Sequence, residues 1–178
     1  SINLTFFSGV GSVTGANFLF EIKNSEKTTK ILIDCGLIQG EKEAIMENRE
    51  AFDYEPSEID MLFITHAHLD HVGRIPKLVK EGFQGTIYST PETMALAGLI
   101  LEDAVGLLEK EANNEGILPL YEMKDMQKSF TLWKTIPYHI ETPFPEGFSV
   151  FLKDAGHILG SSMIQFTYEN KKIVFTGD

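Results

Sequence analysis

Between Ile64 and Pro76 the chain reads "ITHAHLDHVGRIP", in which His66, His68, Asp70 and His71 set four metal-ligand side chains within six consecutive positions. Three of the chain's five histidines lie in this stretch. Imidazole and carboxylate are ligands for divalent metals, and imidazole suits zinc. A helical zinc motif places two His at i and i+4 on one face, which is not the spacing here. At a strand end residues 66 and 68 point to the same side, because side chains alternate. If the chain then turns into a helix, Asp70 and His71 reach the same place from a second direction. Two ligand pairs from one short segment suit two metals side by side, whereas four ligands on one ion would crowd the backbone. The bland alternative is a solvated polar loop between a strand and a helix.

A metal site needs rigid elements to carry it. The runs "NLTFF", "NFLFEI" and "KTTKILIDCG" read as strands separated by Gly-rich or charged turns. "DMLFIT" is a buried-type strand that delivers the His cluster. "VGRIPKLVKEG" predicts a short helix stopped by Gly82, and "GTIYS" a further strand. "PETMALAGLILEDAVGLLEKEANNEG" has the apolar spacing of a long helix opening on Pro91. "YEMKDMQKSFTLW" predicts another helix, and "FSVFLKDAG", "SSMIQFTYEN" and "KKIVFTGD" return to β. Strands with intervening helices and hairpins at both ends predict a layered α/β domain, without repeats or an internal linker.

The chain's 178 residues, 43% of them hydrophobic and 23% charged, suit one ordinary globular domain. Apolar runs are short, so no membrane span is expected. The start, "SINLTFFSG", has no signal-peptide pattern. The lone Cys35 excludes an intrachain disulfide and fits a reducing, cytoplasmic setting. With 15 Lys and Arg against 26 Asp and Glu, the net charge is −11, so charge alone gives no support for gripping nucleic acid. A polyanionic substrate would have to be drawn by bound metal, by a local basic patch or by another domain.

Several features invite a bland reading. "GVGSVTG" superficially suggests a dinucleotide loop, but a strand follows it where that mechanism needs a helix N-terminus, so it is read as a hairpin connection near the site. Cys35 has no basic neighbour in sequence and is read as a buried structural thiol. His139 is read as a surface or loop residue, and Trp133, Phe130 and the later Met residues as core or domain contacts.

"THAHLDHVG" resembles the T-H-x-H-x-D-H-x-G motif of the metallo-β-lactamase superfamily. Asp34 in "ILIDCG", His157 in "DAGHILGS" and Asp178 in "VFTGD" resemble that family's first, third and fourth motifs, in order. "GVGSVTGANFLFEI", "DCGLIQG", "AGHILGSS" and "FTGD" further resemble the β-CASP group, especially its RNA-processing branch, which includes the endonuclease of the mRNA cleavage and polyadenylation factor. The resemblance implies a metallo-β-lactamase αββα four-layer sandwich with its metals at one edge. It implies His66, His68 and His157 on a first zinc, Asp70 and His71 on a second, and Asp178 bridging both. It assigns the catalytic carboxylates to Asp70 and Asp34, the latter holding a ligand histidine or the loop in orientation.

The implied function is a zinc-dependent ribonuclease in which hydroxide shared by two metals attacks the RNA phosphodiester. Manganese or iron is an alternative occupant of such open sites. The family's remaining second-zinc His and its general-acid His match no position here. Residues 1–178 are therefore expected to be the N-terminal part of the domain, incomplete at its C-terminal end, with a β-CASP portion beyond. Alone, this part is expected to hold the second metal weakly or not at all and to be inactive or weakly active. Its exposed apolar surface would be covered by self-association or by the rest of the protein. Two other readings stand beside this one: a metallohydrolase of the same fold acting on a thioester, lactam or small phosphodiester, and a metal-binding scaffold without activity of its own.

Overall fold

β-Branched and aromatic residues in period-two alternation build the first sheet. The computed structural model describes residues 1–40 and 42–178. β1 (Ile2–Ser8), β2 (Asn17–Lys23) and β3 (Thr28–Ile33) pair antiparallel in chain order. β4 (Met61–Phe63), β5 (Thr86–Ser89) and β6 (Trp133–Thr135) then add on in parallel, giving a six-stranded sheet ordered as the chain runs. β7 (Thr142–Pro143), β8 (Phe148–Asp154), β9 (Ser162–Tyr168) and β10 (Lys171–Phe175) form a second, antiparallel sheet.

Alternation sends the strand residues into two cores. Leu19, Leu32 and Leu62 face the helices, where they meet Ile75, Leu78, Leu101 and Val105. Phe20, Ile31, Ile33 and Phe63 face the second sheet and pack on Val150, Leu152, Ile164 and Phe166. Full burial of such a side chain contributes about 1.5–3 kcal/mol, so the two sheets and the helical layer hold one another. Three of the four expected layers are formed by the described residues: helices, sheet, sheet. No helix among them is long and apolar enough to cross a membrane.

The helices are α1 (Lys42–Glu47), α2 (Leu69–Val72), α3 (Ile75–Lys80), α4 (Pro91–Glu115) and α5 (Met123–Thr131). α4 opens as its sequence predicts: Pro91 occupies the first turn, and the Thr90 side chain accepts the Thr93 backbone N–H as the cap. The short α1 was not evident from the sequence. Trp133 departs from expectation. The helix meant to run through it stops at Thr131, and Trp133 opens β6 beside Ile87. Its indole N–H donates to Ser89 Oγ at 2.9 Å, and its ring stacks on Phe130 at 5.0 Å between centroids. Burying the indole with its donor satisfied outweighs continuing the helix. His139 is exposed and Cys35 fully buried, as read from the sequence. Apolar side chains do stand exposed on the edge strands, Phe6 on β1 and Val174 on β10 among them.

Candidate metal centre

β4 delivers the chain to Ile64, whose N–H still bonds the Tyr88 carbonyl, and Thr65 and His66 follow directly. His68 is extended and caps α2, and its carbonyl accepts the N–H groups of His71 and Val72. That single turn brings Asp70 and His71 back toward His66, as the spacing suggested. The backbone of the turn is locked from behind: Ala16 N–H donates to the Asp70 carbonyl at 2.9 Å, and Cys35 N–H to that of His71 at 2.8 Å. Gly36 permits this approach, because a Cβ there would lie 1.5 Å from the Asp70 carbonyl oxygen.

Three ring nitrogens converge. His68 Nδ1 lies 3.1 Å from His66 Nε2 and 3.0 Å from His157 Nε2. His157 comes from the loop between β8 and β9 in the other sheet. A second group is formed by His66, His71 and Asp178. Asp178 Oδ1 stands 3.4 Å from His71 Nε2, while Oδ2 stands 4.0 Å from both His66 Nε2 and His157 Nε2. One carboxylate thus turns an oxygen toward each group. Asp70 Oδ2 lies 3.8 Å from His71 Nε2. The structure therefore brings together all six residues expected as ligands.

Asp34 sits apart, behind His71. It is buried, in a left-handed conformation with φ of 57°. Its Oδ1 accepts the Thr65 N–H, and its Oδ2 accepts the Thr65 hydroxyl and the Nδ1–H of His71, each at 2.8 Å. With Nδ1 protonated toward Asp34, the lone pair of His71 lies on Nε2, facing Asp178 and Asp70. Buried behind His71 with both oxygens engaged, Asp34 is placed to hold that histidine in orientation. Thr65, which the sequence offered without a role, also lies 3.0 Å from His66 Nδ1. Asn17 completes the support, its amide donating to the Asp34 carbonyl and accepting from the Tyr54 hydroxyl. A lone Asn opening a strand carries no pattern that would have marked it.

The electrostatics suit a cation. Burial, reinforced by His71 nearby, pushes the His66 pKa down to about 4, leaving a neutral lone-pair donor at neutral pH. Burial also pushes His71 down, but the hydrogen bond and charge of Asp34, with Asp70 and Asp178, raise it overall. The donor set of imidazoles and carboxylates is borderline-soft and fits a divalent transition metal. A tetrahedral zinc with Zn–N of about 2.0–2.1 Å would set its nitrogens about 3.3 Å apart, close to the spacing in the His66–His68–His157 group. The residues present fit a metal.

Residues 17–178 match the Metallo-beta-lactamase superfamily, and the chain belongs to it. The metallo-beta-lactamase fold protein YhfI from Bacillus subtilis shares the fold at a TM-score of 0.55 and 14% identity, over 99% of this chain and 63% of that one. Among curated relatives, the ribonuclease TTHA0252 of Thermus thermophilus is 34% identical over 84% of this chain and 32% of its own length. The transcription termination factor FttA of Cenarchaeum symbiosum is 33% identical over 99% of this chain and 27% of its own. The cleavage and polyadenylation specificity factor 73 of Drosophila melanogaster is 34% identical over 85% and 22%. The chain spans about a third or less of the length of these relatives.

Proposed function

We propose that this chain is the metal-binding part of a β-CASP-type nuclease that hydrolyses RNA phosphodiester bonds with zinc. The observation that carries the reading is the pair of ligand groups sharing His66 and facing opposite oxygens of Asp178. Relatives named as a ribonuclease and as a cleavage factor support RNA as the substrate. Their greater length supports an RNA clamp and a general acid contributed by a further portion of the protein.

His66, His68 and His157 would hold one ion, Asp70 and His71 a second, with Asp178 between them. Bound there, divalent metal supplies Lewis acidity toward a phosphate oxygen and water of lowered pKa. The protein's own residues do the rest. Asp34 keeps the proton of His71 on Nδ1 and so keeps Nε2 free. Thr65 ties Asp34 and His66 into one unit, and the burial of His66 excludes water from that side of the cluster. The net charge of −11 leaves the cations of the site as the local attraction for an RNA phosphate.

End-labelled single-stranded RNA tests this reading. Cleavage by the zinc-loaded protein extended through that further portion, lost in its Asp70→Ala variant, is the expected result. Intact RNA after incubation with the fully metal-loaded extended protein sinks the RNA assignment.

A further inference from the structure

The ligand residues come from two different sheets, so something must hold His157 in register with the others. His66 and His71 are each steadied through their second ring nitrogen, by Thr65 and by Asp34. The ring of His157 has no such partner among the described residues. Its place is set by the loop that carries it, residues 155–161.

That loop is pinned at one point to the start of α4. The Gly160 carbonyl accepts two side-chain hydroxyls, Thr90 Oγ1 at 2.7 Å and Thr93 Oγ1 at 2.8 Å. Both threonines are fully buried. Thr90 does double duty, since the same oxygen accepts the Thr93 N–H at 3.2 Å and caps the helix. The contact is close enough to require glycine at 160: φ is +85°, and a Cβ would fall 2.4 Å from Thr93 N. From Gly160 the order passes back to His157 through Ser161, whose hydroxyl accepts the His157 N–H at 3.2 Å. The Ser161 carbonyl in turn accepts the Tyr138 hydroxyl at 2.6 Å. Ser162 N–H then donates to the Thr65 carbonyl at 2.8 Å, next to His66 itself.

We infer that Thr90 and Thr93 are positioning residues for the metal centre, their hydroxyls fixing the Gly160 carbonyl and thereby the distance from His157 to His66 and His68. The inference rests on the metal reading above. Among the described residues no other carbonyl around the cluster is held by two buried hydroxyls, and this one lies in the loop that carries His157, whose ring, like that of His68, has no partner on its second nitrogen. Partners of this kind behind a ligand typically govern metal affinity by roughly ten- to a hundredfold.

Two readouts test it on the protein and on Thr93→Val, Thr93→Ser and Thr90→Val/Thr93→Val. Thr93→Val is nearly isosteric and leaves the Thr90 cap in place, so it remains informative if the double variant fails to fold. The first readout is amide hydrogen exchange of residues 156–161 in metal-free protein. The second is Co²⁺ binding, followed by its visible absorption band and by chelator competition. Thr93→Val is expected to speed exchange in that loop, shift the Co²⁺ band and weaken binding severalfold. The double variant should weaken it by roughly ten- to a hundredfold, and Thr93→Ser should behave as the parent. Parental exchange, band and affinity in Thr93→Val and the double variant overturn the inference. Should the parent itself bind no Co²⁺, the metal reading falls. The clamp is then decided by exchange alone, with faster loop exchange in Thr93→Val upholding it and unchanged exchange overturning it.

Discussion

Asp34 and His71, 37 residues apart, meet at 2.8 Å between Oδ2 and Nδ1, and that contact decides which nitrogen of His71 faces the site. The Thr65 N–H and hydroxyl bond the same carboxylate and hold it against His71. Asp34→Asn keeps the shape and loses the charge. It is expected to weaken the metal bound at His71 by roughly ten- to a hundredfold, read as metal per chain after dialysis against a graded chelator. Parental occupancy in that variant would refute the orienting role.

Metal should also stabilise the fold, since its donors come from both sheets and are scattered when the chain unfolds. With zinc at about 100 times its dissociation constant, the folded state gains about 2.7 kcal/mol, visible as a higher Tm. Asp178→Ala, which removes the carboxylate facing both groups, should lose much of that rise. An unchanged Tm on adding zinc to chelator-treated protein counts against the centre.

Gly36 is a packing requirement. Gly36→Ala places a methyl group where the Asp70 carbonyl already stands. A loss of about 3 kcal/mol or more is expected, measured by urea unfolding of metal-free protein. A loss under about 1 kcal/mol would show that the turn moves aside freely.

Burial pushes the Cys35 thiol up from 9.0 to about 12, against the opposing charges of Arg74 and Lys77. The folded state therefore holds a proton that the unfolded chain releases near pH 9. Stability from this group is complete below pH 9 and is lost as pH rises toward 12. Native protein should resist iodoacetamide at pH 8 and react once unfolded. Cys35→Ala should flatten part of the alkaline fall in stability. Rapid alkylation of the native protein would contradict the burial.

The cluster of His and Asp was readable because the residues expected as ligands are dense in sequence. Four of the six lie within "HAHLDH", and the turn that gathers them is local. Asp34, His157 and Asp178 were marked by the motifs around them. The support was not readable. Thr93 and Gly160 stand 67 residues apart, and a Thr in a first helical turn looks like an ordinary cap. Trp133 was misplaced for the same reason, because the partner that recruits its indole, Ser89, is 44 residues away. Alternating strands and the long α4 carry their periodicity on their face; the short α1 does not. Position-specific contacts between distant segments leave no periodic trace.

Both sheets are ordered as the chain runs, and this bears on how the protein acquires its form. Each strand docks on the strand before it in the chain, so no strand waits for a later one, although the parallel additions β4 to β6 close longer crossovers than the antiparallel hairpins. β1 to β5 can therefore assemble with His66, His68, Asp70 and His71 in place before β8 and β9 bring in His157. Pulse-labelled hydrogen exchange would register this as earlier protection of β2 to β5 than of β8 and β9. In that sequence of events the metal is a latch, closing the late-arriving sheet onto one already built.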